Sequence, residues 1–549
     1  MNFEKLFNKA IQLHLSGKIP EALVIYRQAL KLNPNYIDAL NNQGICLQTL
    51  NRHEEALVSY TQALRLRPDY ANLYYNQGIC LKVLNRHEEA LASYTQAIKL
   101  KPDYIEALNN QGNCLQSLNR HEEALASYTQ AIKLKLGNVE AHYNQGNCLK
   151  VLNRHEEALA SYTQAIKLKP DYIEALNNQG NSLKSMNRHE EALASYTQAL
   201  TFQPGYAEAF NNQGSCLQSI SRYEEALASY TQAIKLQPDH VEAHLNLSLL
   251  QLLQGNFKEG WKNYEWRKKL PENKKTYTSI TEQLAWSGEQ DLKNTTILIS
   301  KEQGLGDYIQ CCRYLPMIQD LGAKITLDIS KSLRSLIDTL DIDKTYADES
   351  QKVQFQYHCT IMSLPLAFKT ELDTIPKQNP YLFATDDKKR YWQEKLGKKT
   401  ATRIGLVWSG NISHENDRNR SLTLDQLKPW LNLPYEFHSL QIDYRDHDLK
   451  LLPTFPNLYC HEKDISDFSD TAGLIESMDL IICVDTSVAH LAGALGKKVL
   501  ILLPYAPDFR WLLDRTDSPW YPTAKLFRQP EINNWRSVVM EIKKLLLNL

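Results

Sequence analysis

A period of 34 residues runs through the first half of the 549-residue chain. Small residues in each unit would let two helices approach closely, and proline closes most units by ending the second helix. A single helix pair cannot bury its apolar face, so a chain with this period is expected to stack pairs into a solenoid. The alanine of the repeated string NRHEEALxSYTQA marks the period at Ala56, Ala90, Ala124, Ala158, Ala192 and Ala226.

The eighth unit departs from this pattern. Ser248 stands where the other units have glycine, and Gly260 and Arg267 stand where they have alanine. Terminal units of a solenoid often differ from the rest because they act as caps. The period therefore predicts one superhelical domain at 1–274, made of eight units that begin at residue 3.

A column of asparagines lies two positions before the repeated glycine, on the first helix of each unit. An amide both donates and accepts hydrogen bonds, so such a column can hold an extended peptide backbone without reading its sequence. The alternative is that these side chains bond within their own repeat. The column consists of Asn42, Asn76, Asn110, Asn144, Asn178, Asn212 and Asn246.

Five cysteines follow the same period, at Cys46, Cys80, Cys114, Cys148 and Cys216. We expect them to be small buried thiols, not a metal ladder. The repeated Arg-His-Glu-Glu string is expected to be a solvated turn that begins the second helix of each unit. Ten cysteines without a CxxC pair favour reduced thiols over a disulfide framework, and no metal site is predicted.

The period ends near residue 275, where short β-rich runs begin to alternate with helical patterns. This alternation predicts parallel sheets covered by helices. The polar stretch 376–385 divides the region into two doubly wound domains, 275–385 and 386–549, that face a cleft. The predicted strands are Thr296–Ser300, Lys324–Ile329, Arg403–Trp408, Glu436–Ile442, Leu480–Asp485 and Lys498–Leu503. The predicted helices are Asp307–Leu321, Asp386–Leu396, Leu424–Leu431, Asp470–Met478, Val488–Leu495 and Trp535–Leu547.

Two strand ends carry residues suited to chemistry. The first strand leads into Gly304-Leu305-Gly306-Asp307, where glycines permit close approach of a ligand and Asp307 would face the cleft. An aspartate that merely caps the helix is the structural alternative. The fifth predicted strand ends in Asp485 and leads into Thr486 and Ser487, which open a helix whose N–H groups suit a phosphate. A capping box with a buried histidine is the alternative at this second site.

These motifs resemble known families. The 34-residue unit resembles the tetratricopeptide (TPR) repeat, and the asparagine column resembles the ladder inside the superhelix of O-GlcNAc transferases. DTSVAHLAGALGKKV, together with the upstream GD loop, resembles the family 9 glycosyltransferases, heptosyltransferase-like enzymes of the GT-B fold. That resemblance spans about residues 295–530 and includes RIGLVWSGN, HENDRNRS and SLQI. The expected fold class is therefore an α-solenoid followed by a GT-B fold of two Rossmann-like domains, a plan similar to that of bacterial TPR–glycosyltransferase proteins.

The resemblance implies an inverting glycosyltransferase that is independent of metal and uses a nucleotide-sugar co-substrate without a further cofactor. It implies that Asp307 is the general base, within an acceptor loop that also includes Gln303, Gly304 and Gly306. Arg420 would be the cation for the departing diphosphate, at a position where heptosyltransferases tend to have lysine. The remaining donor-binding residues implied are Ser409, Gly410, Asn411, Gln441, Asp485, Thr486, Ser487 and His490. Family members often have an acidic residue near Gln441, so ADP-heptose is a doubtful donor.

Lys301 and Glu302, just before this loop, are in a position where acceptor contact is conceivable. Trp511, Trp520 and Tyr521 lie beyond the last predicted core strand and are interpreted as packing residues.

Two other functions stay open. The chain could be a TPR interaction scaffold with an inactive GT-B domain, or a sugar-nucleotide epimerase or other GT-B relative. The expected partners are a protein or peptide in the TPR groove and a nucleotide-diphosphate sugar. Acidic and basic residues balance, with a formal net charge of −1, so an electrostatic nucleic-acid binder is not expected. No secretory signal and no membrane span is predicted, which indicates a soluble, cytoplasmic protein.

Overall fold

A computed structural model describes residues 2–271, 273, 284–302, 304–347, 354–414 and 416–549. The chain forms two compact units, Met1–Gln213 and Gly214–Leu549. The predicted domain boundary at 274/275 lies outside the described residues, and the one at 385/386 stays a prediction.

Helical pairs fill the repeat region, as the 34-residue period predicts. Its sixteen α-helices, all within residues 2–271, are α1 Phe3–Leu15, α2 Ile19–Leu32, α3 Ile37–Thr49, α4 His53–Leu66, α5 Ala71–Val83, α6 His87–Leu100, α7 Ile105–Ser117, α8 His121–Leu134, α9 Val139–Val151, α10 His155–Leu168, α11 Ile173–Ser185, α12 His189–Phe202, α13 Ala207–Ser219, α14 Tyr223–Leu236, α15 Val241–Leu253 and α16 Phe257–Tyr264.

The repeated glycine and tyrosine make the contact between the two helices of each pair. In the pair formed by α7 and α8, Tyr128 on α8 is fully buried against Gly112 on α7. A Cβ atom at Gly112 would lie 2.5 Å from Cε1 of Tyr128, closer than packed carbon atoms come. The repeat therefore requires glycine here for steric reasons.

The glutamine that comes one position before the repeated glycine joins three consecutive helices. Gln145 on α9 donates through Nε2 to Thr129 Oγ1 on α8 at 3.1 Å. Its Oε1 accepts from Ser161 Oγ on α10 at 3.0 Å. The repeats thus have a polar clamp beside their apolar contacts, and the same pair of bonds recurs at Gln77, Gln111 and Gln179.

The repeated Arg-His-Glu-Glu string and the periodic cysteines have the structural roles predicted for them. Arg120 donates two 2.7 Å hydrogen bonds to Glu123 at the start of α8, and both side chains are largely exposed. The five periodic cysteines are buried and outside any disulfide. These positions are structural features of the repeat.

The second compact unit, Gly214–Leu549, contains two wholly parallel sheets. The first sheet has the strand order β3-β2-β1-β4 and the second the order β10-β9-β8-β5-β6-β7. The strands are β1 Thr296–Ser300, β2 Lys324–Asp328, β3 Lys344–Tyr346, β4 Tyr357–Thr360, β5 Arg403–Val407, β6 Glu436–Ser439, β7 Leu458–Cys460, β8 Leu480–Val484, β9 Val499–Leu503 and β10 Ala524–Arg528. The helical solenoid and the α/β class of the sheet region both agree with the predicted fold class.

Helices connect these strands. The α-helices are α17 Leu305–Cys311, α18 Leu315–Asp320, α19 Lys331–Ile337, α20 Leu364–Ala367, α21 Asp386–Leu396, α22 Asp417–Arg420, α23 Lys428–Leu431, α24 Asp446–Leu451, α25 Phe468–Glu476, α26 Ser487–Ala494 and α27 Trp535–Leu546. Short 3-10 helices lie at Glu265–Lys269, Cys312–Tyr314, Ile361–Ser363, Leu424–Leu427, Leu452–Thr454 and Phe509–Trp511.

Several predicted elements need correction. The single helix predicted at 307–321 is α17, a 3-10 turn and α18, with Pro316 in the first turn of α18. The helix predicted at 424–431 is likewise a 3-10 turn followed by α23, which has Pro429 in its first turn. Proline lacks the N–H that a continuous helix needs at such a position. The prediction missed β3, β4, β7 and β10.

In each sheet the strand order reverses beside the first strand of that sheet. β1 lies between β2 and β4, and β5 lies between β6 and β8. The carboxyl ends of the strands at such a reversal form a crevice, where open α/β sheets bind ligands. Both strand ends singled out from the sequence lie at these reversals.

The eighth repeat does not end in a polar cap. Phe257 and Trp261 of α16 are buried, and their rings contact Trp520 and Phe509 with centroids 6.1 Å and 5.8 Å apart. The last helix pair of the repeats therefore belongs to the same core as the sheets. Of its departures from the repeat pattern, Arg267 contacts the sheet region, where it pairs with Glu302.

Candidate functional site

The GD loop between β1 and α17 places an aspartate in the first turn of a helix. The helix begins at Leu305 with Gly304 as its N-cap, so the alternative that Asp307 itself caps the helix is wrong. A Cβ atom at Gly304 would lie 2.2 Å from Oδ2 of Asp307. The glycine therefore leaves the space that this carboxylate occupies.

The second strand end supplies a helix N-terminus. Thr486 is the N-cap of α26, but its side chain makes no capping bond, so no capping box forms, although the histidine of that alternative, His490, is buried. Oγ1 of Thr486 is buried and lacks a hydrogen-bond partner among the described residues. The first N–H groups of any helix have no partner within that helix. Thr486 and the start of α26 thus offer donors that suit an anion.

The two motifs meet in the folded chain. A Cβ atom at Gly306 would lie 2.9 Å from Cδ2 of His490 and 3.4 Å from Cα of Ser487. The GD loop is therefore packed against the first turns of α26, one residue before Asp307.

His490 is held where it contacts the loop. Its Nδ1 hydrogen-bonds to the Tyr521 hydroxyl at 2.9 Å, and its ring stacks on Trp511 with centroids 5.3 Å apart. His490 is buried, and burial holds its pKa well below the usual range, as does the nearby Arg510. It supports the turn as a neutral ring. Trp511, Trp520 and Tyr521 are all buried, as their interpretation as packing residues predicts.

A cation that the sequence interpretation missed lies against the aspartate of the GD loop. Arg510 Nη2 donates to Asp307 Oδ1 at 2.5 Å, and Nη1 donates to Asp508 Oδ1 at 2.7 Å. Its Nε donates to Gln310 Oε1 at 2.9 Å. Burial raises the pKa of the Asp307 carboxyl, and the guanidinium of Arg510 opposes that rise. Arg510 and Asp508 follow β9 in the string PDFRW. Two charged residues among apolar ones were the sequence signal that could have indicated this ion pair.

Arg420 lies at the reversal point of the larger sheet. Its Nη1 donates to the backbone oxygen of Asp485 at 3.1 Å, and a Cβ atom at Gly410 would lie 2.6 Å from Nη2. Its Nε is buried without a hydrogen-bond partner among the described residues, and the nearest Asp417 oxygen is 3.8 Å away. Burial and the Asp508 carboxylate raise the pKa of the Asp485 carboxyl. Unpartnered donors at Arg420 and Thr486 fit an anionic ligand at this point.

The other predicted donor-binding residues are mostly engaged with one another. Gln441 Oε1 accepts from the backbone N–H of Trp408 at 2.6 Å and of Ser409 at 2.9 Å, and its Nε2 donates to Ser409 Oγ at 3.1 Å. Asn411 is exposed and accepts from the backbone N–H of Ser413. Gln441 thus stabilises the turn after β5, while contact of Gln441 or Asn411 with a nucleotide stays a prediction.

The residues before the GD loop have partners elsewhere. Lys301 pairs with Asp328 at 2.8 Å, and Glu302 is nearly buried against Arg267. Gln303 lies outside the described residues. Direct contact between Glu302 and an acceptor would require this buried carboxylate to leave its partner.

The asparagine column is half-buried and bonds between repeats. Asn178 Nδ2 donates to Asn147 Oδ1 at 3.0 Å and to the Tyr143 hydroxyl at 3.3 Å, both in the preceding repeat. Bonds of the same kind run from Asn76 to Asn41, from Asn110 to Tyr75, from Asn144 to Asn113 and from Asn212 to Asn177. These five amides therefore have a structural role, as the alternative to peptide binding expects, but they bond to the preceding repeat and not within their own. Peptide binding by the column stays a prediction.

The described residues contain no group of three or more His, Cys, Asp or Glu side chains arranged to hold a metal ion. They also contain no helix with the length and apolar character that crossing a membrane requires.

Comparison with known proteins gives two family matches. The tetratricopeptide repeat family matches residues 37–70, 71–104, 105–137, 139–172, 173–206 and 207–240. Glycosyltransferase family 9 (heptosyltransferase) matches residues 466–541, which include α26 and Arg510 but not the GD loop. The resemblance to both families is therefore confirmed, for the repeats over six units and for family 9 over residues 466–541.

Individual proteins are similar to parts of the chain. Protein FlbA of Caulobacter vibrioides is 25% identical over 312 residues, 52% of this chain and 51% of FlbA, so the chain spans about half the length of this curated relative. The crystal structure of YrrB, described as a TPR protein with an unusual peptide-binding site, is 29% identical, covers 34% of this chain and 95% of its own, and has a TM-score of 0.31. A tetratricopeptide repeat protein from Parabacteroides merdae is 19% identical, with 45% and 98% covered and a TM-score of 0.36.

Proposed function

We propose that this protein is an inverting glycosyltransferase that moves a sugar from a nucleotide-diphosphate donor to an acceptor hydroxyl. One observation carries the proposal: Gly306, the neighbour of Asp307, lies so close to α26 that an added Cβ atom would be 2.9 Å from His490 and 3.4 Å from Cα of Ser487. This closeness supports a crevice that the Asp307 carboxylate shares with the N-terminus of α26. A base and an anion site side by side are what such a transfer needs.

The chemistry follows from the positions of these groups. Asp307 accepts the proton of the acceptor hydroxyl as that oxygen bonds to the anomeric carbon. The bond from that carbon to the donor phosphate oxygen breaks, and the nucleoside diphosphate leaves with the electron pair. Attack from the face opposite the leaving group inverts the anomeric centre.

Protein groups would stabilise the departing diphosphate. The unpartnered Nε of Arg420 and Oγ1 of Thr486 are donors at the carboxyl ends of β5 and β8. Positive charge and helix N–H groups placed where negative charge develops lower the barrier without a metal ion. Arg510 is a further cation beside the base, and a diphosphate would compete with Asp307 for it.

The repeats would bring the acceptor or a partner protein. The tetratricopeptide match and the half-buried amides of the asparagine column support a peptide-binding groove on the first helices of the repeats. A bound main chain would have to share amides that already link neighbouring repeats.

A donor screen tests the proposal. Purified protein is incubated with a panel of nucleotide sugars, and nucleotide release is measured for the wild type, Asp307→Asn and the matched control Asp464→Asn. Asp464 pairs with Lys395 and is 27% exposed, as is Asp307, but it lies outside the crevice. We expect release with one donor class, a loss of about 100-fold or more in Asp307→Asn, and no loss in the control. No release with any donor would favour the scaffold with an inactive GT-B domain.

A further inference from the structure

The last turn of the repeats contains an arginine that repeat packing does not require. Arg267 stands where other units have alanine, and it is 4% exposed. Its Nε and Nη2 donate to the two carboxylate oxygens of Glu302 at 2.8 Å and 2.7 Å. Nη2 also donates to Ser363 Oγ at 2.9 Å, and Nη1 donates to Glu265 Oε1 at 2.7 Å. The guanidinium is thus satisfied on every side.

Glu302 is the end of this network that bears on the crevice. It comes two residues before Gly304, the glycine that accommodates the Asp307 carboxylate. Burial raises the pKa of Glu302, but Arg267 outweighs this, so the pKa lies below its usual range and the carboxylate stays charged. A bidentate pair fixes both the position and the orientation of the backbone that carries it.

The same turn reaches the other side of Asp307. The ring of Tyr264 lies under the Arg267 guanidinium at 4.5 Å and contacts the ring of Phe509, with centroids 5.9 Å apart. Phe509 in turn lies under the guanidinium of Arg510 at 4.2 Å. One turn therefore supports both the loop that carries the aspartate and the segment that carries its cation.

Structural stability alone does not call for these charges. Phe257 and Trp261 already pack against the sheet domains beside them. Replacing a buried ion pair by apolar residues of similar volume is often neutral or stabilising. A buried pair at this place instead gives geometric specificity to the loop.

We propose that the end of the repeats is a working part of the transfer site, with Arg267 and Tyr264 as positioning residues for Asp307 and Arg510. This rests on the proposed glycosyl transfer for its consequence in activity. The contact between Arg267 and Glu302 has a further consequence that can be measured without turnover: it should protect the backbone of the GD loop from hydrogen exchange.

The test compares two buried pairs of the same chemistry. Arg267→Met/Glu302→Leu removes the proposed positioning pair. The matched control, Arg403→Met/Glu436→Leu, removes a pair with a 2.8 Å contact and side chains 6% and 16% exposed, at the amino ends of β5 and β6. Hydrogen–deuterium exchange is followed in the peptide 301–310, and kcat and the KM for the donor are measured with the donor found in the screen.

The proposal expects faster exchange in peptide 301–310 of the first double variant, and wild-type exchange there in the control. It also expects a kcat lower by about tenfold or more with the donor KM within about twofold, because the substitutions leave Arg420 and Thr486, the main proposed diphosphate donors, in place. Wild-type exchange in the first variant would overturn the proposal, and so would an unchanged kcat. If the wild type turns over no donor, the proposed function fails and exchange alone decides. Should the double variant not fold, Glu302→Gln is measured in its place.

Discussion

Arg510 and Asp307 are separated by 203 residues in the chain and joined by a hydrogen bond of 2.5 Å in the fold. The pair links the loop after β1 to the segment after β9. It places a cation directly on the carboxylate proposed as the base, so the charge of Asp307 depends on a residue that follows a strand of the other sheet.

Replacing this cation is expected to shift the pH dependence of turnover. Burial raises the pKa of Asp307 and Arg510 lowers it, so Arg510→Gln removes the lowering influence and raises the pKa further. A base must be deprotonated, so the acidic limb of the kcat–pH profile should move to higher pH. The control is Arg515→Gln, which breaks an exposed pair with Asp517 in the same segment. A limb that moves to lower pH would contradict the assignment of Asp307 as the base.

Adding one methyl group at the GD loop should separate the chemical step from donor binding. The Cβ atom of Gly306→Ala would lie 2.9 Å from the His490 ring, which Tyr521 and Trp511 hold in place. The loop must then move away from α26, and we expect kcat to fall by about 10- to 100-fold while donor binding is retained. Steady-state kinetics and titration with nucleoside diphosphates measure the two quantities. Gly205→Ala, which meets open space, is the control. A loss of donor affinity as large as the loss of kcat would contradict this explanation.

The elements fixed by local pattern were predictable, and those fixed by distant partners were not. The strand at Thr296–Ser300 and the helix at Asp386–Leu396 have the bounds that the sequence predicts, because an apolar run and a threonine cap define them locally. Strands β3 and β7 are only three residues long, lie at sheet edges and are partly exposed, so their sequences lack an apolar run.

The candidate site shows the same division. The packing of the GD loop against the start of α26 was predictable, since each follows a strand whose carboxyl end was expected to face the cleft. The roles of Arg510 and Arg267 were not, because each makes its contacts with residues far away in sequence. The sequence shows that Arg267 departs from the repeat pattern. It does not show that the carboxylate of Glu302 is the partner of this arginine.

The carboxyl group of Asp485 should make the fold less stable as pH rises. Burial and the nearby Asp508 raise its pKa in the folded state above the unfolded value. The stability it contributes is therefore present at low pH and is lost as pH rises through the raised pKa. Asp485→Asn cannot ionise, so its melting temperature should exceed that of the wild type by more at pH 8 than at pH 5.

Asp470 provides the control of opposite sign. Its carboxylate is buried too, but bonds from Lys388 and Ser466 outweigh burial and lower its pKa. Its stability contribution is therefore present above the unfolded pKa, so Asp470→Asn should melt below the wild type at both pH values. A gain from Asp485→Asn that shrinks between pH 5 and pH 8 would contradict the raised pKa.

The glycine–tyrosine contact of the repeats can be tested with two alanine substitutions in the same unit. Gly112→Ala places a Cβ atom 2.5 Å from the buried ring of Tyr128, whereas Gly137→Ala meets open space. Overpacking a close contact costs roughly 1–3 kcal/mol, so Gly112→Ala should lower the free energy of unfolding by that amount. Gly137→Ala should be neutral or should stabilise by up to about 1 kcal/mol, because alanine restricts the unfolded chain. Urea unfolding followed by circular dichroism measures both, and equal midpoints for the two variants would show that the repeat tolerates a side chain at this glycine.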